Sequence, residues 1–548
     1  MKQVDLILKS KAVFTGLKDE PEEAAVLVTG NRILDVVSIE ESEKWSSSTT
    51  KIYDLEDKLI LPGFIDAHTH YFSGAIADSP FVCSEIANAS SEDMCVEIIK
   101  KFAEEHPDYE RIRGYGWFIS NWENPILPDK RKLDEAVPNR PIYLVCTDSH
   151  SMWLNSKALE EAGITKDTIP PSGSIGKFPN GELNGMLIEP EAYAPAMAKY
   201  LEFSDDEMME IHRSFLKKAA SFGVTSLSEM FAEDYTPDVF HKYDCIKDLE
   251  KQDAFTLRLH IFTKLFGYTD FTKALEAKQK YNSEKIQISG VKGFIDGVAE
   301  TYTGLMLEPY TDRPDTCGEG VPLAPKDEIE QSVLAANAAG LPVRLHCIAD
   351  GSVRMALDIF EHSKDVNARN ECLSRNTIEH LETIAPSDIG RFAELSVIPS
   401  MQPYHMVLDQ NTKIVRVGEE RCKYEWPCKS VLDAGGALAL GTDYPVVTIN
   451  PYPTLHAAVT RKDDANLPTG INPWEAIPLS DALKAYTIGA AKVYNRETDL
   501  GTLEAGKLAD ITVVDRNLFA VSPDDIGNAK TYMTIFDGRI IYNNYSST

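Results

Sequence analysis

The chain has 548 residues and a formal net charge of −30, from 55 Lys and Arg against 85 Asp and Glu. So acidic a protein repels phosphate backbones, and we therefore expect no nucleic-acid partner. Hydrophobic residues make up 43% of the chain, which is enough for a sizeable core and too many for a disordered protein. The length indicates two or three domains, or one large barrel with insertions.

The cysteine pattern and the hydropathy of the chain indicate the cellular compartment. Nine cysteines are scattered without a Cys-x-x-Cys pair, which favours reduced thiols in a cytoplasm. The stretch Met1 to Lys9 interrupts its apolar run with charges, unlike a signal peptide. No apolar stretch approaches the roughly 20 residues of a membrane span. We therefore predict a soluble cytoplasmic protein that does not bind membranes.

Both ends of the chain have the pattern of short strands and turns. The strands predicted before residue 60 and after residue 495 are Val4–Leu8, Ala25–Thr29, Arg32–Val37, Ala509–Val514, Tyr532–Phe536 and Arg539–Tyr542. Gly30-Asn31 and Asp537-Gly538 are typical hairpin turns between them. We predict that residues 1–59 and 496–548 form the two halves of one small β-sandwich.

In the middle of the chain, apolar strands alternate with amphipathic helices such as Lys326–Ala339 and Gly351–His362. The strand candidates are Pro141–Thr147, Gly223–Leu227, Arg258–Phe262, Val291–Ile295, Pro342–His346, Thr377–Glu379, Ser396–Pro399 and Ala437–Gly441. This rhythm predicts an α/β fold, a (β/α)8 TIM-like barrel over residues 60–495. Residues 72–215, rich in aromatics and loop signals, are predicted as a large insertion after the first barrel strand that binds substrate.

The most informative motif is Leu61 to His70, which reads Leu-Pro-Gly-Phe-Ile-Asp-Ala-His-Thr-His. Side chains i and i+2 of an extended strand point to the same side, so His68 and His70 can aim two imidazoles at one point. Imidazole is a preferred ligand of zinc and similar divalent metals. The pair therefore predicts a metal site at the carboxyl end of a strand.

Four later residues of metal-site type lie in or just after strand candidates: Lys292, His346, His380 and Asp443. The carboxyl ends of barrel strands converge on one face, so these residues and the histidine pair are predicted to surround one pocket. Taken singly, each of these residues has another explanation. A strand-end histidine can be a structural hydrogen-bonding residue, Asp443 a helix N-cap, and Lys292 a buried ion-pair partner. Other carboxylates, Glu379 and Asp296, could equally be the functional acids.

Together these motifs resemble the amidohydrolase superfamily, and within it the YtcJ-like branch that includes N-substituted formamide deformylases. Further matching segments are Val291–Gly297, Leu345–Asp350, Met401–Pro403, Gly441–Pro445 and Gly501–Asp510. The resemblance covers nearly the whole chain, and its motifs are specific in combination.

The resemblance implies a ligand set. His68 and His70 match the pair that binds the more buried metal, and His346 and His380 match ligands of a second metal. Lys292 matches a strand lysine that can be carboxylated to a carbamate and bridge two metals. The implied cofactor is one or two Zn²⁺ ions, or another divalent metal, and the resemblance leaves both nuclearities open.

By the same resemblance, Asp443 orients the attacking water and moves its proton. The implied reaction is metal-dependent hydrolysis of an amide-type C–N bond in an N-substituted formamide, an N-acyl amine or a cyclic amide. Glu379 or Asp350 could fix imidazole tautomers. A lactone or ester hydrolase, or a lyase or isomerase on the same scaffold, remains open. A non-catalytic barrel would have lost ligands, whereas here all six positions are filled.

Substrate-binding residues are less strongly indicated. Trp117 lies in an aromatic loop beside Trp122 and could line an apolar pocket, with core packing as the alternative. His150 is predicted by the resemblance to approach the metal face and bind substrate. Weaker candidates are Tyr302, Gln402 and His405, the last of which could instead only pack. The implied partner is a small-molecule substrate, and the resemblance favours a homodimer.

Overall fold

The computed structural model describes residues 4–147, 150–230, 237–316, 318–367, 375–463 and 468–544. The strands among them are Leu6–Val13 (β1), Glu22–Thr29 (β2), Arg32–Val37 (β3), Lys51–Asp54 (β4), Leu59–Pro62 (β5), Phe64–Asp66 (β6), Val82–Cys83 (β7), Ile112–Trp117 (β8), Ile142–Cys146 (β9), Ser151–Leu154 (β10), Ser174–Lys177 (β11), Leu183–Ile188 (β12), Val224–Glu229 (β13), Arg258–Lys264 (β14), Ile286–Phe294 (β15), Val343–Cys347 (β16), Thr377–His380 (β17), Ile398–Met401 (β18), Ala439–Leu440 (β19), Ile511–Val514 (β20), Thr531–Phe536 (β21) and Arg539–Asn543 (β22).

The α-helices of the described residues are Ile39–Ser42 (α1), Tyr71–Ala77 (α2), Glu92–Glu105 (α3), Lys130–Ala136 (α4), Ser156–Glu161 (α5), Pro190–Tyr200 (α6), Asp205–Ser221 (α7), Pro237–Lys251 (α8), Thr272–Lys280 (α9), Lys326–Ala338 (α10), Asp350–Val366 (α11), Arg391–Leu395 (α12), Met406–Val417 (α13), Glu419–Cys422 (α14), Cys428–Asp433 (α15), Pro451–Thr460 (α16), Leu479–Lys484 (α17) and Ala490–Val493 (α18). Among them, none combines the length and the apolarity needed to cross a membrane.

The chain divides into two compact units. One consists of the residues up to Tyr71 and from Leu216 onward, and the other of Phe72–Phe215. The domain limits and the substrate-binding role predicted for residues 72–215 stay predictions.

The larger unit contains a parallel barrel. Its strands follow the order β6, β13, β14, β15, β16, β17, β18, β19, and every neighbouring pair is parallel. The segments that follow β6 and β19 are joined by backbone hydrogen bonds, from Asp443 N to His68 O (2.7 Å) and from His70 N to Tyr444 O (2.7 Å). The eight strands therefore form a nearly closed barrel, which confirms the predicted barrel.

Strand register explains how the barrel aims polar side chains inward. In β16, the alternating residues Arg344 and His346 face the interior, while Val343, Leu345 and Cys347 are buried on the outside. A parallel strand that is covered on both faces has an almost entirely apolar sequence, so a charged residue inside it is unusual. Polar residues that face the barrel interior near the carboxyl strand ends thus become the walls of one pocket.

The two ends of the chain meet in one further sheet of the same unit. Its order is β22, β21, β20, β5, β1, β2, β3, with β4 beside β1. The junction is the antiparallel pair β5–β20, in which Leu61 lies opposite Thr512. The sandwich geometry predicted for this region stays a prediction.

A buried ion cluster ties this terminal sheet to the barrel. Arg258, the first residue of β14, is fully buried, and its Nε donates to Asp510 Oδ2 at 2.6 Å. The same guanidinium also donates to Asp537, in the turn between β21 and β22. The cluster lies at the amino end of the barrel strand, away from the carboxyl strand ends.

The smaller unit contains a six-stranded sheet in the order β11, β12, β10, β9, β8, β7. Strands β7, β8 and β9 are parallel, and the remaining pairs are antiparallel. The predicted strand 141–147 is β9 of this sheet. Its core includes three tryptophans, Trp117, Trp122 and Trp153, whose ring centroids lie 6.0–6.3 Å apart.

Candidate metal centre

Three of the predicted residues converge at the carboxyl end of the barrel. His68 follows β6, His380 ends β17, and Asp443 follows β19. One potential ligand atom from each lies within 4.8 Å of the others, and all three residues are buried. This set combines His68 with His380, whereas the resemblance pairs His68 with His70.

Glu379 orients the ring of His68. Its Oε2 lies 2.6 Å from His68 Nδ1, and its Oε1 accepts a hydrogen bond from Arg344. Burial alone would raise the pKa of Glu379, but the charge of Arg344 and the hydrogen bond with His68 outweigh it and lower that pKa, so the group is a carboxylate. Because a carboxylate only accepts, Nδ1 carries the proton and Nε2 keeps its lone pair. Glu379 therefore has the tautomer-fixing role considered for it, whereas Asp350 accepts from Leu307 N instead.

The lone pair of His68 points toward negative charge. Its Nε2 lies 3.4 Å from Asp443 Oδ1, and burial, aided by the charge of Lys292, lowers the pKa of His68 to about 4. Burial alone would raise the pKa of Asp443, but the surrounding histidines outweigh it and hold that pKa well below its ordinary value. A neutral imidazole nitrogen and a carboxylate oxygen at this separation repel each other unless a cation lies between them. The donor set thus fits a divalent metal.

The other histidines border this trio. His70 Nε2 lies 3.2 Å from Asp443 Oδ1, and the ring of His346 lies 4.4 Å from that of His380. Burial opposes protonation of His70, but its hydrogen bond to Asp443 outweighs that effect and raises its pKa. Burial lowers the pKa of His346 to about 3, and that of His380 well below 6.5. Three of the four imidazoles are therefore neutral at neutral pH, as metal ligands must be.

Lys292 lies inside the barrel on β15, opposite Arg344 of β16 in the strand register. The side chain is buried, and its Nζ has no hydrogen-bond partner among the described groups. Burial lowers the pKa of this amine to about 8. The Nζ lies 5.0 Å from the centroid of the Phe294 ring. A buried amine that lacks a hydrogen-bond partner among the described groups is costly to keep as an ammonium, so the position suits an amine that is neutral or modified.

Asp66 holds the first and last strand segments together. Its Oδ1 accepts from Thr442 N (3.0 Å) and His68 N (3.2 Å), and its Oδ2 accepts from Thr442 Oγ1 (2.6 Å).

Two of the ligand candidates have backbone angles in the left-handed region, His380 at φ +76° and Asp443 at φ +59°. Such conformations cost about 1–2 kcal/mol per residue and collect at functional sites.

The substrate candidates of the larger unit have different surroundings. His405 is buried, with Nε2 3.1 Å from Thr442 O and Nδ1 3.8 Å from Glu382 Oε1, an environment that matches the packing alternative. Gln402 is buried at the end of β18, and its Oε1 has no hydrogen-bond partner among the described groups. Tyr302 donates its hydroxyl to Asp312 Oδ2 at 2.7 Å. Their substrate roles stay predictions.

The two candidates of the smaller unit differ in exposure. Trp117 is 1% exposed in the core of that unit and donates its Nε1–H to Leu144 O at 3.1 Å, which is the core-packing alternative. His150 is exposed, and its Nδ1 lies 3.0 Å from Glu189 Oε2. The substrate-binding role of each stays a prediction.

Sequence reasoning missed the groups that hold the ligand candidates in place. Arg344 and Asp66 are both fully buried and hydrogen-bond to the segment that follows the first barrel strand. Lys413 Nζ binds Glu382 Oε2 at 2.5 Å, and Glu382 Oε1 lies 3.8 Å from His405 Nδ1. The signal was present in β16, where an arginine interrupts an otherwise apolar strand two residues before a histidine. Asp66 lies within the Leu61–His70 motif itself, two residues before His68.

A nearly closed parallel barrel with imidazoles and a carboxylate converging at its carboxyl strand ends defines the class of metal-dependent barrel hydrolases. The sequence profile of the Amidohydrolase family matches residues 51–542, and the chain belongs to this family. The resemblance inferred from the motifs is thereby confirmed.

Curated relatives match nearly the full length. Protein LONG AFTER FAR-RED 3 of Arabidopsis thaliana is 30% identical over 98% of this chain and 91% of its own length. The putative amidohydrolase YtcJ of Bacillus subtilis is 26% identical over 97% of this chain and 98% of its own. The N-substituted formamide deformylase of Arthrobacter pascens is 25% identical, covering 94% of each chain.

Two solved structures share the fold. An uncharacterized metal-dependent hydrolase from Pyrococcus horikoshii has a TM-score of 0.77 at 22% identity, covering 94% of this chain and 99% of its own. An uncharacterized metal-dependent hydrolase from Pyrococcus furiosus has a TM-score of 0.74 at 25% identity, covering 95% of this chain and 99% of its own.

Proposed function

We propose that this protein is a metal-dependent hydrolase that cleaves an amide-type C–N bond in an N-substituted formamide, an N-acyl amine or a cyclic amide. The observation that carries the proposal is the convergence of His68, His380 and Asp443, with a neutral imidazole nitrogen 3.4 Å from a carboxylate oxygen. Family membership supports a hydrolase, and the relative named as an N-substituted formamide deformylase supports the substrate class.

Five residues would hold the metal: His68, His70, Lys292, His346 and His380. Neutral imidazoles are good donors to zinc, and His70 would release its proton on binding the cation. We propose one or two Zn²⁺ ions as the cofactor. A divalent cation at this position supplies a lowered pKa for water and polarisation of a carbonyl group.

Asp443 is proposed as the group that moves the proton. Its carboxylate would accept a proton from the attacking water and return it to the departing nitrogen, a contribution of roughly 10²–10⁴-fold. The low pKa of Asp443 supports an ionised carboxylate at neutral pH, and its Oδ1 lies 3.2 Å from His70 Nε2. Glu379 would keep the lone pair of His68 directed at the site throughout.

Lys292 is proposed to carry a carbamate. Its neutral Nζ would attack carbon dioxide, forming one N–C bond and releasing one proton. A pKa lowered to about 8 by burial raises the neutral fraction at neutral pH, which favours this step. A carbamate would also place negative charge beside the neutral imidazoles of the site.

The remaining parts of the proposal concern substrate and assembly. We propose that residues 72–215 bind substrate, with His150 and Trp117 as the candidate residues there. Tyr302, Gln402 and His405 are the substrate-binding candidates of the larger unit. A composite β-sandwich of residues 1–59 and 496–548 would support the barrel of residues 60–495. We further propose a cytoplasmic homodimer that acts on small molecules, with the assembly measurable by light scattering.

The first experiment is metal analysis of the purified protein, followed by a screen of formamides, N-acyl amines, cyclic amides and lactones. Asp443→Asn should lower kcat on the best amide by about 10²–10⁴-fold. The matched control is Asp515→Asn, because Asp515 pairs with Arg516 beyond β20 and should leave turnover unchanged. A parent protein with no divalent metal and no activation by zinc would refute the proposal. Full activity of Asp443→Asn would remove Asp443 from the mechanism.

A further inference from the structure

Arg344 lies fully buried inside the barrel and contacts four other barrel strands or their extensions. Its Nη2 donates to Ala67 O at 2.7 Å, and its Nη1 donates to Ser228 Oγ at 3.0 Å. Its Nε donates to Glu379 Oε1, and Nη2 also lies 3.4 Å from Ser400 Oγ. The guanidinium therefore links the ends of β6, β13, β17 and β18 from its own strand, β16.

These contacts close a ring around His68. Arg344 holds the backbone carbonyl of Ala67, which precedes His68, and it also holds Glu379, which binds the Nδ1 of His68 at 2.6 Å. The backbone and the ring of one ligand candidate are thus fixed by one side chain. The planar fork of arginine can satisfy several acceptors in fixed directions, which a lysine cannot do.

A purely structural ion pair is the alternative explanation. Burying an arginine is expensive, and a buried pair often adds no net stability over apolar packing. The chain offers a direct comparison in Arg258, which is equally buried and also binds a carboxylate, Asp510, but at the amino end of its barrel strand. The two arginines differ in that only the carboxylate bound by Arg344 also binds a histidine of the metal trio.

We infer that Arg344 is a positioning residue of the metal centre, which acts through Glu379 to hold the ring of His68 in its metal-binding orientation and so sets the affinity for the cation. The inference rests on the metal site of the proposed function. It concerns how tightly this chain holds a metal and does not depend on which bond is cleaved. Losing such an outer hydrogen bond typically weakens metal affinity 10–100-fold.

The test compares zinc dissociation constants of the full-length zinc-loaded protein, measured by competition with a chromogenic chelator. Arg344→Lys keeps the charge and removes the fork, and Glu379→Gln keeps the shape and removes the carboxylate. Each should weaken zinc binding by about 10–100-fold. The control Arg258→Lys should lower thermal stability while leaving the zinc dissociation constant within about twofold, and circular dichroism checks that each variant is folded.

The double variant Arg344→Lys/Glu379→Gln shows whether the arginine acts through the carboxylate. If it does, the double variant should bind zinc about as weakly as Glu379→Gln alone, because the shared path is already broken. Independent losses that multiply would overturn the inference, as would unchanged zinc binding in folded Arg344→Lys or an equal loss in Arg258→Lys. If Arg344→Lys does not fold, Glu379→Gln binding zinc like the parent also overturns it.

The two proposals fail separately. A parent protein that binds no zinc or other divalent metal refutes the hydrolase proposal itself. A parent that binds zinc, with variants that bind it equally well, refutes only the role of Arg344.

Discussion

Gly441 offers the sharpest perturbation of the site, because it lies where the last strand passes the first. A Cβ added at this position would lie 2.6 Å from His68 N and 2.8 Å from Asp66 Oδ1. Ordinary Cβ contacts begin at about 3.4 Å, so the two segments must separate by about 0.8 Å. The nearest obstacle is backbone and cannot rotate away. Gly441→Ala should therefore move His68 relative to Asp443.

The expected size of the effect follows from that displacement. A misplacement of about 1 Å can cost roughly 10²-fold in rate, so we expect kcat/KM to fall by about that factor. Zinc affinity should weaken as well, because His68 and Asp443 both belong to the converging trio. The assay is hydrolysis of the best amide from the screen, together with chelator competition for zinc.

The matched control is Gly390→Ala. A Cβ at Gly390 meets nothing within 4 Å, and its φ of −64° suits alanine. This variant should keep parental activity and zinc affinity. If Gly441→Ala matches Gly390→Ala in both measurements, the close approach of the two strand segments does not constrain the site, and the reasoning is refuted.

Three other outcomes are expected. Burial alone would raise the pKa of Glu382, but the charge of Lys413 outweighs it and lowers that pKa below 4.5. The ionised carboxylate therefore stabilises the fold above pH 4.5, and this stabilisation is lost as the pH falls. Glu382→Gln should thus be less stable than the parent at pH 7, with a gap in thermal unfolding temperature that narrows in acid; a constant gap would contradict this. Arg258→Met should lower the free energy of unfolding by about 3–5 kcal/mol, because it leaves buried Asp510 without its partner; denaturant unfolding equal to the parent would exclude that role. Removing metal with a chelator should abolish hydrolysis while circular dichroism stays unchanged, and zinc should restore activity; unfolding on chelation would show that the metal, rather than the hydrogen bonds of Asp66, holds the strand ends together.

Much of the barrel could be predicted from local patterns. Parallel strands buried on both faces give short apolar runs, and these located β13 to β18 to within a few residues. Polar residues at the ends of such runs stand out, which is why His68, His380 and Asp443 could be predicted to meet before any distance was known. The topology also contributes to the prediction, because the carboxyl ends of parallel barrel strands converge on one face.

The supporting contacts could not be predicted because they depend on side-chain reach across the barrel. Arg344 meets Ala67 O from a position 277 residues away in the chain, and no local pattern encodes that contact. The same limit applies to Trp117, because an aromatic cluster gives the same sequence pattern whether it lines a pocket or fills a core. Glu379 likewise meets His68 from a position 311 residues away in the chain.

The junction of β5 with β20 has a consequence for synthesis. About 450 residues separate Pro62 from Ile511, so at about 5–20 residues per second the ribosome takes roughly 22–90 s to deliver the partner strand. During that interval β5 presents an unpaired edge of apolar residues, the kind of edge that invites pairing with another chain. The junction of β5 with β20 can form only after Ile511–Val514 has been synthesised. Expression at lower temperature, or with a chaperone that shields nascent strands, should therefore raise the yield of folded protein.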